Sequence, residues 1–170
     1  MRHKGFTLIE LTLVVTIIVA LIGLSIPLFR QTFNNLTAKD AVFNISKLVS
    51  YARERAVIDK KNYKAVFDFN HRTYQLMEFS GYSGDKASYK KARGQFGRMF
   101  ALPKSLFFYD PKTGISEKKE EVFKKEIIFY PDGRCNELLI DIVDSRGSGY
   151  SITLKGFGGF PQIKEVTGEV

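Results

Sequence analysis

Residues able to converge on a reaction are scarce in this sequence. It has two histidines, His3 in a basic amino-terminal pentapeptide and His71 in a turn-like run, so neither a histidine-based triad nor a zinc site can be assembled. Asp132, Asp141 and Asp144 lie close along the chain but lack calcium-loop spacing, and they read as turn and surface positions. Gly156-Phe157-Gly158-Gly159-Phe160 has the glycines of a phosphate loop without the helix that must follow one, and Pro161 comes next. It reads as a turn whose aromatics are available to another chain. Cys135 is the only cysteine, which excludes an internal disulfide and a thiolate cluster and favours burial as a small apolar residue. No catalytic residue, metal or cofactor is expected.

Glu10 is the exception, because it is the one charge in an apolar run from Phe6 to Leu28. As a helix that run covers about 35 Å, enough to span a bilayer. An unpaired carboxylate in hydrocarbon costs at least about 2–3 kcal/mol, so a partner is required at the same depth. The simplest is a free amino group on Phe6, made by a cut after Gly5. A salt bridge between neighbouring helices would then favour assembly in register. Arg2 and Lys4 on one flank orient the segment with its amino terminus in the cytoplasm and everything after Leu28 exported.

The stretch Lys4-Gly5-Phe6-Thr7-Leu8-Ile9-Glu10 resembles the processing signal of type IV pilins and of the pseudopilins of type II secretion. The resemblance implies cleavage between Gly5 and Phe6 by a membrane prepilin peptidase, N-methylation of Phe6, and a Glu10 that docks on the amino terminus of an adjacent subunit. Pro27 stands where that family often carries a helix-weakening proline. A plain signal anchor explains the length but neither the Gly-Phe junction nor Glu10. A secretory signal cut near Gly23-Leu24-Ser25 normally has a shorter apolar core without a carboxylate.

The elements that carry these residues follow from periodicity. Phe33, Leu36, Ala41, Ile45, Leu48, Ala52 and Ala56 recur every three to five residues, so the helix is expected to continue to about Lys61, kinked or locally melted at Pro27. Beyond it Tyr63 to Phe69 and Thr73 to Phe79 alternate as a hairpin, with Tyr63 to Phe69 lying across Ala52 and Ala56. Residues 80–98 read as an exposed basic loop, Lys104 to Tyr109 as a short strand, and Ser116 to Lys125 as a solvated charged run. Strands are expected at Glu126 to Tyr130, Leu138 to Val143 and Tyr150 to Lys155. The expected class is α+β: a leader (1–5), a transmembrane and assembly helix (6–28), its amphipathic continuation (29–61), and an antiparallel β domain (62–170).

Tyr51-Ala52-Arg53-Glu54-Arg55-Ala56-Val57, with the strand and turn Ile127 to Gly133 and the strand Tyr150 to Leu154, is similar to the H-type minor pseudopilin and FimT-like branch of the same family. That likeness implies a minor subunit polymerising into the periplasmic pseudopilus. The alternatives are a minor type IV pilin that primes pilus assembly and a FimT-like receptor for DNA uptake. The implied partners are other pilin or pseudopilin subunits, the prepilin peptidase, an inner-membrane assembly platform and, before assembly, membrane lipid. Net charge is +8, or +6 once Arg2 and Lys4 are removed. Its densest stretch, Lys86, Lys90, Lys91, Arg93 and Arg98 with Tyr82, Tyr89 and Phe96 between them, is the candidate surface for nucleic acid or a partner. Arg53 and Arg55 read as cations placed for the dipole at the helix end.

Overall fold

The computed structural model describes residues 7–112, 123–156 and 160–167, with the backbone alone over 24–35. The chain divides into two units, Met1–Leu36 and Thr37–Val170. Helix α1, Leu8–Asp59, contributes to both and runs through Pro27 without the expected melting. It stops because Lys60 adopts a left-handed φ of 51°, which lets the Lys61 N–H turn back to the Ala56 carbonyl at 3.3 Å as in a Schellman motif.

In the second unit one face of α1 is buried: Ala38, Ala41, Val42, Ile45, Leu48, Val49, Ala52 and Ala56. Leu36, expected on that stripe, is 54% exposed. Its five-residue gap to Ala41 takes it off the helical repeat, and Ala38 fills the place instead.

The strands are β1 (Tyr63–Asp68), β2 (Thr73–Ser83), β3 (Lys86–Lys91), β4 (Phe100–Ala101), β5 (Phe107–Tyr109), β6 (Lys124–Phe129), β7 (Leu138–Val143), β8 (Gly149–Leu154) and β9 (Gln162–Val166). They form two antiparallel sheets where one was expected. The first has the order β3-β2-β1-β6 with β4 beside β2, and the second has the order β5-β7-β8-β9. Tyr63, Ala65 and Phe67 of β1, with Leu76 of β2, join Ile140, Ile142, Ile152 and Leu154 of the second sheet and the stripe of α1 in one buried cluster.

Residues 80–83 and 86–91 are strand, not loop. The register of β2 against β3 shifts between Phe79 and Gly81, and Gly81 takes a φ of 137° that side chains avoid. That bulge hides the alternation. The hairpin then turns through Gly84-Asp85, with Gly84 at φ 60° in the glycine position of a II′ turn. The charged run expected over Ser116 to Lys125 falls mostly outside the described residues, and β6 opens at its last two positions.

Lys125 of β6 joins the two sheets. Its ammonium donates to the Leu139 carbonyl at 2.7 Å and pairs with Asp110, just after β5, at 2.9 Å. Asp141 of β7 lies beside this pair, 5% exposed, with Oδ1 lacking a hydrogen-bond partner, so it is neither a turn nor a surface residue. Burial raises its carboxyl pKa, the Ser151 hydroxyl bond opposes the shift, and the Asp110 charge adds to it. Asp144, also buried, does serve a turn: it accepts the N–H groups of Arg146 at 2.9 Å and Ser148 at 3.1 Å. Asp132 is exposed and bonded to Arg134. Cys135 is buried as expected, and burial raises its thiol pKa.

Because the folded pKa of Asp141 is raised, the folded chain takes up this proton before the unfolded chain does as pH falls. The stabilisation that protonation brings is fully present below the unfolded pKa and lost as pH rises through the folded one. Asp141→Asn is therefore expected to stabilise the fold at pH 7 by about 1 kcal/mol, with the gain shrinking in acid. Urea denaturation at pH 7 and pH 4 checks both halves. Ala52→Leu, which forces three more heavy atoms into a fully buried contact, is expected to cost about 1–3 kcal/mol in the same assay.

Candidate functional site

Thr7 immediately precedes α1. Its hydroxyl accepts the Glu10 N–H at 3.3 Å, and its carbonyl accepts those of Glu10 and Leu11 at 3.2 Å each. Thr7 is thus the N-cap and Glu10 the third residue of the helix, the Thr-x-x-Glu spacing of a capping box. That Thr-x-x-Glu spacing is the signal in the sequence that could have located the start of the helix. Glu10 also occupies the first turn, where the helix dipole favours an anion. Its side chain is exposed and meets no cation among the described residues.

Leu8, Ile9, Leu11, Leu13, Val14, Val15, Ile17, Ile18, Val19, Leu21 and Ile22 surround it, all exposed. Runs such as Leu13-Val14-Val15 and Ile17-Ile18-Val19 step by 100° per residue, so the apolar surface goes all round the helix rather than forming a stripe. The two hydroxyls within it are satisfied internally: Thr12 donates to the Ile9 carbonyl at 3.0 Å and Thr16 to the Thr12 carbonyl at 2.7 Å. Among the described residues no helix is long and apolar enough to cross a membrane. Gly5 and Phe6, and the side chains of the expected span from residue 24 onward, including that of Pro27, lie outside the described residues.

The basic cluster does not form one positive face. Lys86, Lys90 and Lys91 are on β3, where alternation sends Lys90 and Lys91 to opposite sides. Lys90 pairs at 3.4 Å with the buried Glu78, directly opposite on β2. Arg98 lies over the Phe100 ring at 4.8 Å, and Phe96 packs on Tyr51 with ring centroids 4.9 Å apart. Lys91, Lys86 and Arg93 are exposed, as is Tyr82. Tyr89 sits opposite Phe79, with Lys64 over its ring at 4.5 Å.

Arg53 and Arg55 precede the last turn of α1, where the dipole is felt, and Arg55 instead pairs with Asp59 at 3.4 Å. His71 bonds to Asp68 through Nδ1 at 3.1 Å in the β1–β2 turn. Of the glycine-rich turn, Phe160 is described and is 80% exposed, while residues 157–159 lie outside the described set.

Two apolar hollows run between α1 and the β8–β9 hairpin. One, of about 400 Å³, is lined by Val49, Arg53, Val57, Leu154, Phe160 and Pro161, and the other, of about 320 Å³, by Lys39, Val42, Phe43, Tyr150 and Ile163. Ser50 and Glu54 also border the first and Asp40 the second, so each has an apolar floor and a polar rim, a shape suited to contact. The hollows and the strand β9 beside them escaped the sequence reading, whose last expected strand ends at Lys155.

No protein-family model matches the sequence, and no curated protein does. The fold is matched by two solved structures of the minor pseudopilin EpsH from the type II secretion system of Vibrio cholerae. One gives a TM-score of 0.53 at 11% identity over 76% of this chain and 96% of that one, and the other 0.55 at 12% over 78% and 97%. At such identity the likeness is one of fold, in a chain whose own order is one long helix followed by antiparallel strands. The chain has a pilin-like α+β fold.

Proposed function

We propose that this chain is a minor pseudopilin of a type II protein secretion system. The observation that carries the reading is an exposed, all-round apolar helix with a single acid in its first turn, continuous with the helix that organises a pilin-like domain. The likeness of fold to EpsH supports the same reading.

On this reading the chain enters the inner membrane with its amino terminus in the cytoplasm and its domain in the periplasm, and a prepilin peptidase cuts between Gly5 and Phe6. The freed and methylated amine of Phe6 keeps its positive charge. In lipid Glu10 has no such partner at its own depth, and in a filament the amine of an adjacent subunit supplies one. Recovering the cost of the lone carboxylate, at least about 2–3 kcal/mol, favours the assembled state. The apolar girdle then trades lipid for neighbouring helices, and the assembly platform supplies the work of extraction. The domain contributes contacts to other subunits, without enzymatic chemistry.

Glu10→Ala is expected to be cleaved at the normal rate yet depleted at least tenfold from sheared filaments, as measured by immunoblotting of membrane and filament fractions. Undiminished incorporation of that variant would falsify the pairing. A clean deletion, scored together for surface pili, for exoproteins held in the periplasm and for transformation, separates the host machines. Trapped exoproteins with normal pili are expected; lost pili with normal secretion would make the chain a minor type IV pilin, and loss of transformation alone a receptor for DNA uptake.

A further inference from the structure

The open sheet edges of the second unit are not equivalent. An unpaired edge offers a row of backbone donors and acceptors to any other strand, and proteins guard such edges with lysines, by shortening them or by covering them. Three of the edge strands here are guarded. β3 carries Lys86, Lys90 and Lys91, β5 is three residues long, and β6 is bridged beyond β1 by the pair Phe129 and Cys135. β9 is five residues long, carries one cation and one anion, and bonds to β8 alone among the described residues.

β9 also has a floor. Ile163 pairs with Ile152, and Glu165 with Tyr150, whose hydroxyl donates to Glu165 at 3.2 Å. Residues 163 and 165 therefore face α1, and Ile163, 45% exposed, lines the hollow of about 320 Å³ with Val42 and Phe43. A side chain placed opposite Ile163 by an added strand falls on the same face and reaches that hollow.

The charges on β9 decide which strand fits. In a two-fold antiparallel pair the axis is perpendicular to the sheet, so one residue always faces its own copy. The register that uses all five residues sets Lys164 against Lys164 and Ile163 against Glu165. Moving the axis one residue forward sets Glu165 against Glu165. Moving it one residue back sets Pro161, which has no N–H to give, against Glu165. Each of these registers is penalised, so a second copy of this chain is a poor occupant.

We infer that β9 is a docking edge for an extended strand of a different chain, paired antiparallel, with a carboxylate opposite Lys164, a cation opposite Glu165 and an apolar side chain opposite Ile163. Main-chain pairing supplies affinity and these three positions supply choice. The edge lies wholly in the second unit and does not depend on the secretion reading.

A labelled peptide of sequence Thr-Val-Lys-Glu-Leu-Thr, which meets all three requirements in antiparallel register, titrated against the full chain in detergent by fluorescence anisotropy, tests this. Saturable binding is expected, about fivefold weaker with Lys164→Glu and restored when the peptide's glutamate is exchanged for lysine, while Lys91→Glu on the guarded edge leaves it unchanged. Absence of binding, binding indifferent to Lys164→Glu, or failure of the exchanged peptide to restore it overturns the inference, and none of these outcomes bears on incorporation of the Glu10→Ala variant.

Discussion

The second unit depends on one face of one helix. Neither sheet has a second layer of its own, and both close on the stripe from Ala38 to Ala56, so its alanines set how near the strands can come. A fully buried Leu, Ile or Phe contributes about 1.5–3 kcal/mol, and the shared cluster contains many of them. The Lys125 link between the sheets is of another kind, since burying an ion pair roughly cancels its own attraction. Apolar packing supplies the stability, and the ion pair sets which edge of β6 meets which end of β5 and β7.

The same helix obeys a different rule in the first unit. Over residues 8–22 apolar side chains point in every direction, and the polar groups at or beside this stretch are either bonded back to the helix, as Thr12 and Thr16 are, or gathered at its first turn, as Thr7 and Glu10 are. A stripe suits a helix that packs on one side, whereas a girdle suits a helix that is surrounded. Sequence periodicity separates the two, because residues 8–22 have no polar face and residues 37–59 do.

That distinction is why the organisation was legible from the residues. The hairpin β1–β2 and the strands β7 and β8 were legible for the same reason, as alternation bounded by turn residues. The division into two sheets was not, because period reports the faces of a strand and not its neighbours. The β2–β3 hairpin escaped because the bulge at Gly81 breaks the alternation that would have revealed it, and β9 because a strand exposed on both faces has no alternation to show. Asp141 was misplaced on the surface because a charged residue within a strand gives no local sign of whether that face is covered. Of the candidate site, Glu10 could be singled out from its apolar surroundings alone, whereas the scattering of Lys86, Lys90, Lys91, Arg93 and Arg98 depends on pairing register.

The inward-turned hydroxyls of Thr12 and Thr16 have a mechanical consequence. With both protons spent on the helix's own carbonyls, the surface between Leu11 and Ile22 offers a neighbour no outward hydrogen to grip. A second helix laid against it meets no polar step along this length, so sliding and rotation there encounter only the shallow corrugation of aliphatic side chains. On the proposed reading axial position is left to Glu10, the one charged side chain from Thr7 to Gly23, which would act on an otherwise smooth rod as a detent does on a shaft.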